Sequence, residues 1–184
     1  MRVGLLTSRN IASKPIRTAH YIKMALDPFV DVRHLAADSR AVQVSWRRIA
    51  IAQRLTRGRY TSRLERRYAK DATADFLRDP VDVVLGIFSS VITPYFDIPR
   101  DVPLVHVSDA TLPTIYEVED GYKCVKGSAH DKRMDLERMA LQRSDLLLYP
   151  SEWAARSAID DFGVDPSRVH IVEWGGAAED GKPP

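Results

Sequence analysis

The sequence predicts an α/β protein, a Rossmann-like three-layer αβα sandwich on a mostly parallel sheet. Two observations carry that expectation. Apolar runs of strand length alternate with longer amphipathic stretches along the chain, the pattern that places helices on both faces of a parallel sheet. The segment from Ser144 to Ala177, SDLLLYPSEWAARSAIDDFGVDPSRVHIVEWGGA, spells out one whole βαβ unit of such a fold.

Taken in order, Arg2 to Thr7 is the first strand, ending at polar Ser8-Arg9-Asn10. A helix begins near Pro15, which suits a first helical turn because the missing N–H would be unpaired there anyway. Ile16, Ala19, Ile22 and Leu26 give that helix an apolar stripe, and Asp27-Pro28 stops it. Val30 to Ala36 is a second strand. Two basic helical stretches follow, roughly Val44 to Leu55 and Thr61 to Leu77, the second with Leu64, Tyr68, Ala72 and Phe76 four residues apart. Val81 to Phe88 and Pro103 to Val107 return to strand. Lys132 to Arg143 is helical, with Leu136, Met139 and Ala140 on one side.

The last unit is the clearest. Leu146 to Tyr149 is a continuous apolar run too short for a helix and bounded by Pro150, as a strand buried on both faces requires. Ser151 is placed to cap the next helix, with Glu152 favoured in its first turn by the helix dipole. Ala155, Ala158, Ile159 and Phe162 form its apolar face, and Gly163 closes it where a left-handed residue is easiest to accommodate. Asp165-Pro166-Ser167 turns the chain into Val169, Ile171 and Val172, a strand that ends at Gly175-Gly176.

The 184 residues suffice for one full core, and 45% hydrophobic with 28% charged residues is ordinary for a globular domain. Net charge is +2, but it is unevenly spread. Arg47 to Lys70 carries about +8, leaving about −6 for the rest. Cys124 is the sole cysteine, which excludes an internal disulfide and a multi-cysteine metal site and suits a reduced, cytosolic setting. No apolar run approaches the ~20 residues a membrane span needs, and the N-terminus lacks a signal-peptide core. There is no internal repeat or low-complexity linker. The tail Ala178 to Pro184 shifts in composition and reads as a boundary after a domain of residues 1–177.

Ligands of open parallel sheets collect at the carboxyl ends of the strands. Four loops therefore matter: Ser8 to Lys14, Phe88 to Thr93, Ser108 to Thr111, and Pro150 to Glu152. None of the glycine-rich phosphate-binding patterns follows the first strand, since Gly4 lies inside it, so a classical dehydrogenase loses its main support.

The Ser144 to Ala177 segment resembles the end of the N-terminal domain in family 4 glycosyltransferases of the GT-B fold, where a strand, a Ser-x-Trp-Ala helix and a closing Gly-Ala recur. Val105-His106-Val107-Ser108-Asp109-Ala110-Thr111 is similar to the family's strand-then-SDAT segment, and Lys14-Pro15 to Ala25-Leu26 falls where its first helix begins. The resemblance implies one half of a GT-B fold, the acceptor-side domain of an enzyme moving a sugar from a nucleotide donor to an acceptor hydroxyl. It implies retention of configuration, no metal and no other cofactor, and a C-terminal donor domain sharing the nucleotide sugar. No two glutamates here stand eight positions apart, so the donor domain's Glu-x7-Glu motif is not in this sequence. The expectation is half an enzyme, inactive alone. A stand-alone Rossmann-like binding or regulatory module, or part of another GT-B enzyme such as a sugar-nucleotide epimerase, is the alternative.

By the same resemblance, Asp109 is the catalytic candidate, orienting an acceptor hydroxyl or the transferred sugar; family members often carry His there, which favours positioning over acid/base work. A local Asx turn is the structural alternative. Ser8, Arg9, Asn10 and Lys14 are expected to touch acceptor or donor phosphate, with a solvated loop that needs no ligand as their alternative, and Ser108, Thr111, Ser151 and Glu152 to bind substrate, with helix capping the rival role for the last two. His106 reads as a hydrogen-bonded structural histidine, His20 as a surface or packing residue and Trp153 as packing. The Arg47 to Lys70 segment is either a solvated face or a patch for anionic lipid at the inner face of the membrane, with nucleic acid disfavoured for want of interleaved aromatics.

Overall fold

The structure, a computed structural model, describes residues 1–7, 17–37, 39, 59–118 and 127–174. The expected helix Val44 to Leu55, the Pro15 helix start, Cys124, Gly175-Gly176 and the tail lie outside them. The described residues form six strands, β1 (Arg2–Thr7), β2 (Asp31–His34), β3 (Val83–Ile87), β4 (Leu104–Val107), β5 (Leu146–Tyr149) and β6 (Val169–Ile171). They carry five α-helices, α1 (Arg17–Leu26), α2 (Arg59–Arg78), α3 (Leu112–Val118), α4 (Ser128–Arg143) and α5 (Glu152–Asp160), with 3-10 turns at Thr93–Tyr95 and Pro166–Arg168.

The strands make one sheet in the order β2-β1-β3-β4-β5-β6, every neighbouring pair parallel. This is the Rossmann-like αβα sandwich the sequence predicts, consistent with one half of a GT-B fold. Helices lie on both faces because each strand presents apolar residues in both directions. Ala19 of α1, with Ile22 and Leu26, packs over Val3, Leu5, Val32 and Ile87. On the opposite face Tyr68, Ala72 and Phe76 of α2 pack over Leu6, Val84 and Leu104. Farther along that face Leu141 of α4 meets Leu147, Tyr149, Ala154 and Phe162. At roughly 1.5–3 kcal/mol per fully enclosed large apolar side chain, these three clusters supply most of the driving force.

The terminal unit forms as its residues dictate. Ser151 caps α5 by accepting from the Ala154 amide at 3.4 Å. Gly163 takes φ +67°, its N–H donating to the Ile159 carbonyl at 2.9 Å. Asp165 accepts from the Ser167 amide at 2.9 Å to make the turn.

Several expectations need correction, among them β3, which spans Val83–Ile87 rather than Val81 to Phe88. β2 stops at His34 rather than Ala36, because residues 35–37 turn and Ala36 takes φ +51°. β6 ends at Ile171, one residue early. α4 starts at Ser128, a turn before Lys132. Trp153 is 46% exposed on the solvent side of α5, not packed, because that helix turns Ala154, Ala155 and Ala158 inward. α3 was not foreseen at all: Thr, Ile and Val are weak helix formers, and a seven-residue helix has little stability of its own.

Candidate functional site

The sheet order reverses between β1 and β3, so the crevice where such folds take ligands lies at the carboxyl ends of the central strands. Phe88, immediately after β3, has φ +49°, an uncommon conformation for a bulky residue. Its N–H donates to the Val107 carbonyl at 3.0 Å, and its ring stands edge-on to Trp174 at 6.1 Å. Ser89 behind it is fully enclosed and bonded through its hydroxyl to that of Thr93 at 2.9 Å.

The turn after β4 is held from three directions. The buried Ser108 hydroxyl donates to the Ala110 carbonyl at 2.8 Å. Thr114 on α3 receives the Thr111 N–H at 3.0 Å and returns a bond to the Thr111 carbonyl at 2.8 Å, closing the first turn of α3. The Thr111 hydroxyl lies 2.6 Å from that of Ser157 on α5. Between these anchors Asp109 is exposed, while Ser108, Ala110 and Thr111 are buried. The turn thus directs one carboxylate outward from the end of a central strand.

Ser108 and Thr111, expected to bind substrate, spend their hydroxyls inside the protein. Ser151 is the α5 cap, and exposed Glu152 pairs with Arg156 one turn on at 2.7 Å. Ser8, Arg9, Asn10 and Lys14 lie outside the described residues.

Beneath the turn are three enclosed titratable side chains, two of which sequence reasoning passed over. Glu137 of α4 is 3% exposed and accepts the Leu112 N–H at 2.8 Å; burial pushes its carboxyl up to about 7 despite that bond. Tyr149 of β5 is fully buried, its phenol pushed upward by burial and by the charge of Glu137. His106 is fully buried, and neither ring nitrogen has a hydrogen-bond partner among the described residues, against the expectation of a bonded histidine. Its ring instead packs 6.0 Å from that of Tyr149, and burial holds its pKa down to about 4, so it is neutral at pH 7. Glu137 had a readable signal: Ala140 and Leu141, three and four residues on, are both apolar, which places it on the core face of its helix.

Among the described residues no group of three or more His, Cys, Asp or Glu is arranged to hold a metal, and no helix is long and apolar enough to cross a membrane. Of the basic segment, Arg63, Arg66, Arg67 and Lys70 are exposed on α2. Arg66 lies over the Tyr95 ring at 4.8 Å and Arg67 pairs with Asp71 at 3.1 Å. A groove of about 390 Å³, lined in part by Asp97, Arg100, Met139 and Arg143, sits where α4 ends and the chain approaches β4, apart from the turn.

No family model matches this chain, and no curated protein matches it. Among solved structures it is distantly similar to the glycotransferase of kitacinnamycin, at 13% identity and a TM-score of 0.43, with 100% of this chain and 55% of that chain covered. The chain therefore spans about half the length of that protein.

Proposed function

We propose that this chain is the acceptor-side domain of a GT-B glycosyltransferase, binding an acceptor whose hydroxyl receives a sugar from a nucleotide donor held by a second domain. The observation that carries the reading is Asp109. It is the exposed carboxylate of an otherwise buried turn, at the carboxyl end of a central parallel strand, within the SDAT segment that resembles the family. A carboxylate held there can accept a hydrogen bond from the acceptor hydroxyl and orient it, a contribution made by fixing geometry. A retaining, metal-independent reaction of family 4 type belongs to the same proposal. So do phosphate or acceptor contacts from Ser8, Arg9, Asn10 and Lys14, and a cytoplasmic location with Arg47 to Lys70 resting on an anionic membrane surface.

The test is titration of the isotope-labelled chain with a panel of simple alkyl glycosides, followed by amide chemical shifts. Shifts clustered at residues 107–112 and lost in Asp109→Ala, with melting temperature unchanged, support the reading; shifts that ignore Asp109 sink it. Incubated alone with nucleotide sugars the chain should transfer nothing. Co-sedimentation with phosphatidylserine vesicles but not with phosphatidylcholine vesicles would support the membrane surface, and equal binding to both would remove it.

A further inference from the structure

A buried carboxylate is a costly way to fill a core position. Glu137 has one hydrogen-bond partner, the backbone N–H of Leu112, and no cation within ion-pair distance among the described residues. An apolar residue of similar volume would pack there without the penalty of removing a charge from water. What the carboxylate supplies is a fixed acceptor. The first amides of a helix have no intrahelical partner, and α3 is too short to hold its own start. Its amides are met from within and from outside. Thr114 takes the Thr111 N–H, and Glu137, reaching from α4, takes the next one at 2.8 Å. Negative charge is also favoured at this end of a helix.

We propose that Glu137 is a positioning residue for Asp109. By holding the Leu112 amide it fixes where α3 begins, and α3 begins directly after the turn that carries Asp109, so one buried contact from α4 sets the place of the outward carboxylate. Removing it takes away the hold from α4 and leaves the turn its own Ser108 and Thr114 contacts and the hydroxyl contact from α5. The proposal rests on the reading of Asp109 as the acceptor-orienting group, but the contact itself is independent of that reading.

The titratable side chains on the elements around α4 are His106 on β4, Tyr149 on β5, Tyr116 and Glu117 on α3, and Tyr95 in the 3-10 turn. Glu117 is exposed, and His106 and Tyr149 are neutral near pH 7. His130 of α4 also packs against α3, its ring 4.8 Å from that of Tyr116, so the loss of the Leu112 titration in Glu137→Gln is what assigns it to Glu137.

The experiment follows amide hydrogen exchange and amide shifts in the whole chain for wild type, Glu137→Gln and Glu137→Ala. In wild type the Leu112 amide shift should move with a midpoint near pH 7, and in Glu137→Gln it should be flat. Exchange at residues 109–113 should quicken at least tenfold in Glu137→Ala while the β1 and β5 amides keep wild-type rates, and Glu137→Gln, which retains an acceptor oxygen, should restore most of the protection. Uniform quickening across the sheet, wild-type exchange at 109–113 in Glu137→Ala, or no rescue by Glu137→Gln overturns the assignment. If Glu137→Ala fails to fold, the wild-type titration decides: no inflection at Leu112 overturns it. A turn that depends on Glu137 in a protein that binds no glycoside removes the glycosyl reading alone.

Discussion

The Thr111 and Ser157 hydroxyl oxygens stand 2.6 Å apart in the interior, joining the turn after β4 to α5 across 46 residues of sequence. Thr111 also contacts Thr114 at 3.2 Å, and the Ser157 hydroxyl donates to Asp161. Replacing either partner leaves a buried hydroxyl short of a bond, which costs about 1–3 kcal/mol. Thr111→Val and Ser157→Ala should each destabilise by that order, and the double variant by less than their sum, with about 0.5–1.5 kcal/mol of coupling. Urea unfolding of the four proteins measures it; strict additivity would mean the hydroxyls act separately.

His106 and Glu137 make opposite contributions to stability against pH. The folded pKa of His106, about 4, lies below the ordinary histidine value of 6.5, so its contribution is present above pH 6.5 and is lost as pH falls toward 4. The folded pKa of Glu137, about 7, lies above the ordinary glutamate value of 4.5, so its contribution is present below pH 4.5 and is lost as pH rises through 7. Each shift corresponds to roughly 3 kcal/mol at its limit. The slopes partly cancel in wild type between pH 4.5 and 6.5. Chemical denaturation from pH 4 to pH 8 should show His106→Leu losing less stability on acidification, and Glu137→Gln losing less as pH rises. Because neither His106 nitrogen has a partner among the described residues, His106→Leu should also stay within about 1 kcal/mol of wild type at pH 7.

Gly86 lies in β3 against the enclosed Ser89 side chain. A Cβ at position 86 would stand 2.5 Å from the Ser89 hydroxyl oxygen, which is held by Thr93. Gly86→Ala must push that pair aside, with a destabilisation of about 1–3 kcal/mol. Adding Ser89→Ala should recover part of the lost melting temperature; no recovery would place the strain elsewhere.

Asp75 on α2 accepts from Arg33 Nη1 and from the Ala36 amide, both at 2.9 Å with the same carboxylate oxygen. It pins the left-handed turn after β2 to the helix on that face. Asp75→Ala should cost about 1–3 kcal/mol by stranding both donors. Asp75→Asn, which retains the oxygen, should cost less, as read from denaturant midpoints.

Much of this architecture is legible in local sequence. Leu146 to Tyr149 could only be a short buried strand, and Ser151, Gly163 and Asp165 each carry a side chain or a backbone freedom suited to one position at a helix end or turn. α2 was readable because Tyr68, Ala72 and Phe76 share one face. α3 was not, since its start is satisfied by Glu137 and its approach by Ser157, residues 25 and 46 positions away from their partners. The site was legible only as a loop. Sequence could mark Ser108 to Thr111 as lying at a strand's carboxyl end, but Ser, Asp and Thr all bear oxygens, and nothing local says which of them faces outward.

The sequence by itself determined the alternation of elements, their caps and the parallel sheet they imply, because period, capping and turn chemistry act within a few residues. Tertiary structure alone decided that Asp109 is exposed while Ser108 and Thr111 are spent inside, that His106 is buried with no hydrogen-bond partner among the described residues, and that Glu137 lies beneath the turn. Those outcomes depend on which side chains from distant helices arrive at the end of β4, and burial and hydrogen-bond satisfaction are properties of that assembly rather than of any one segment.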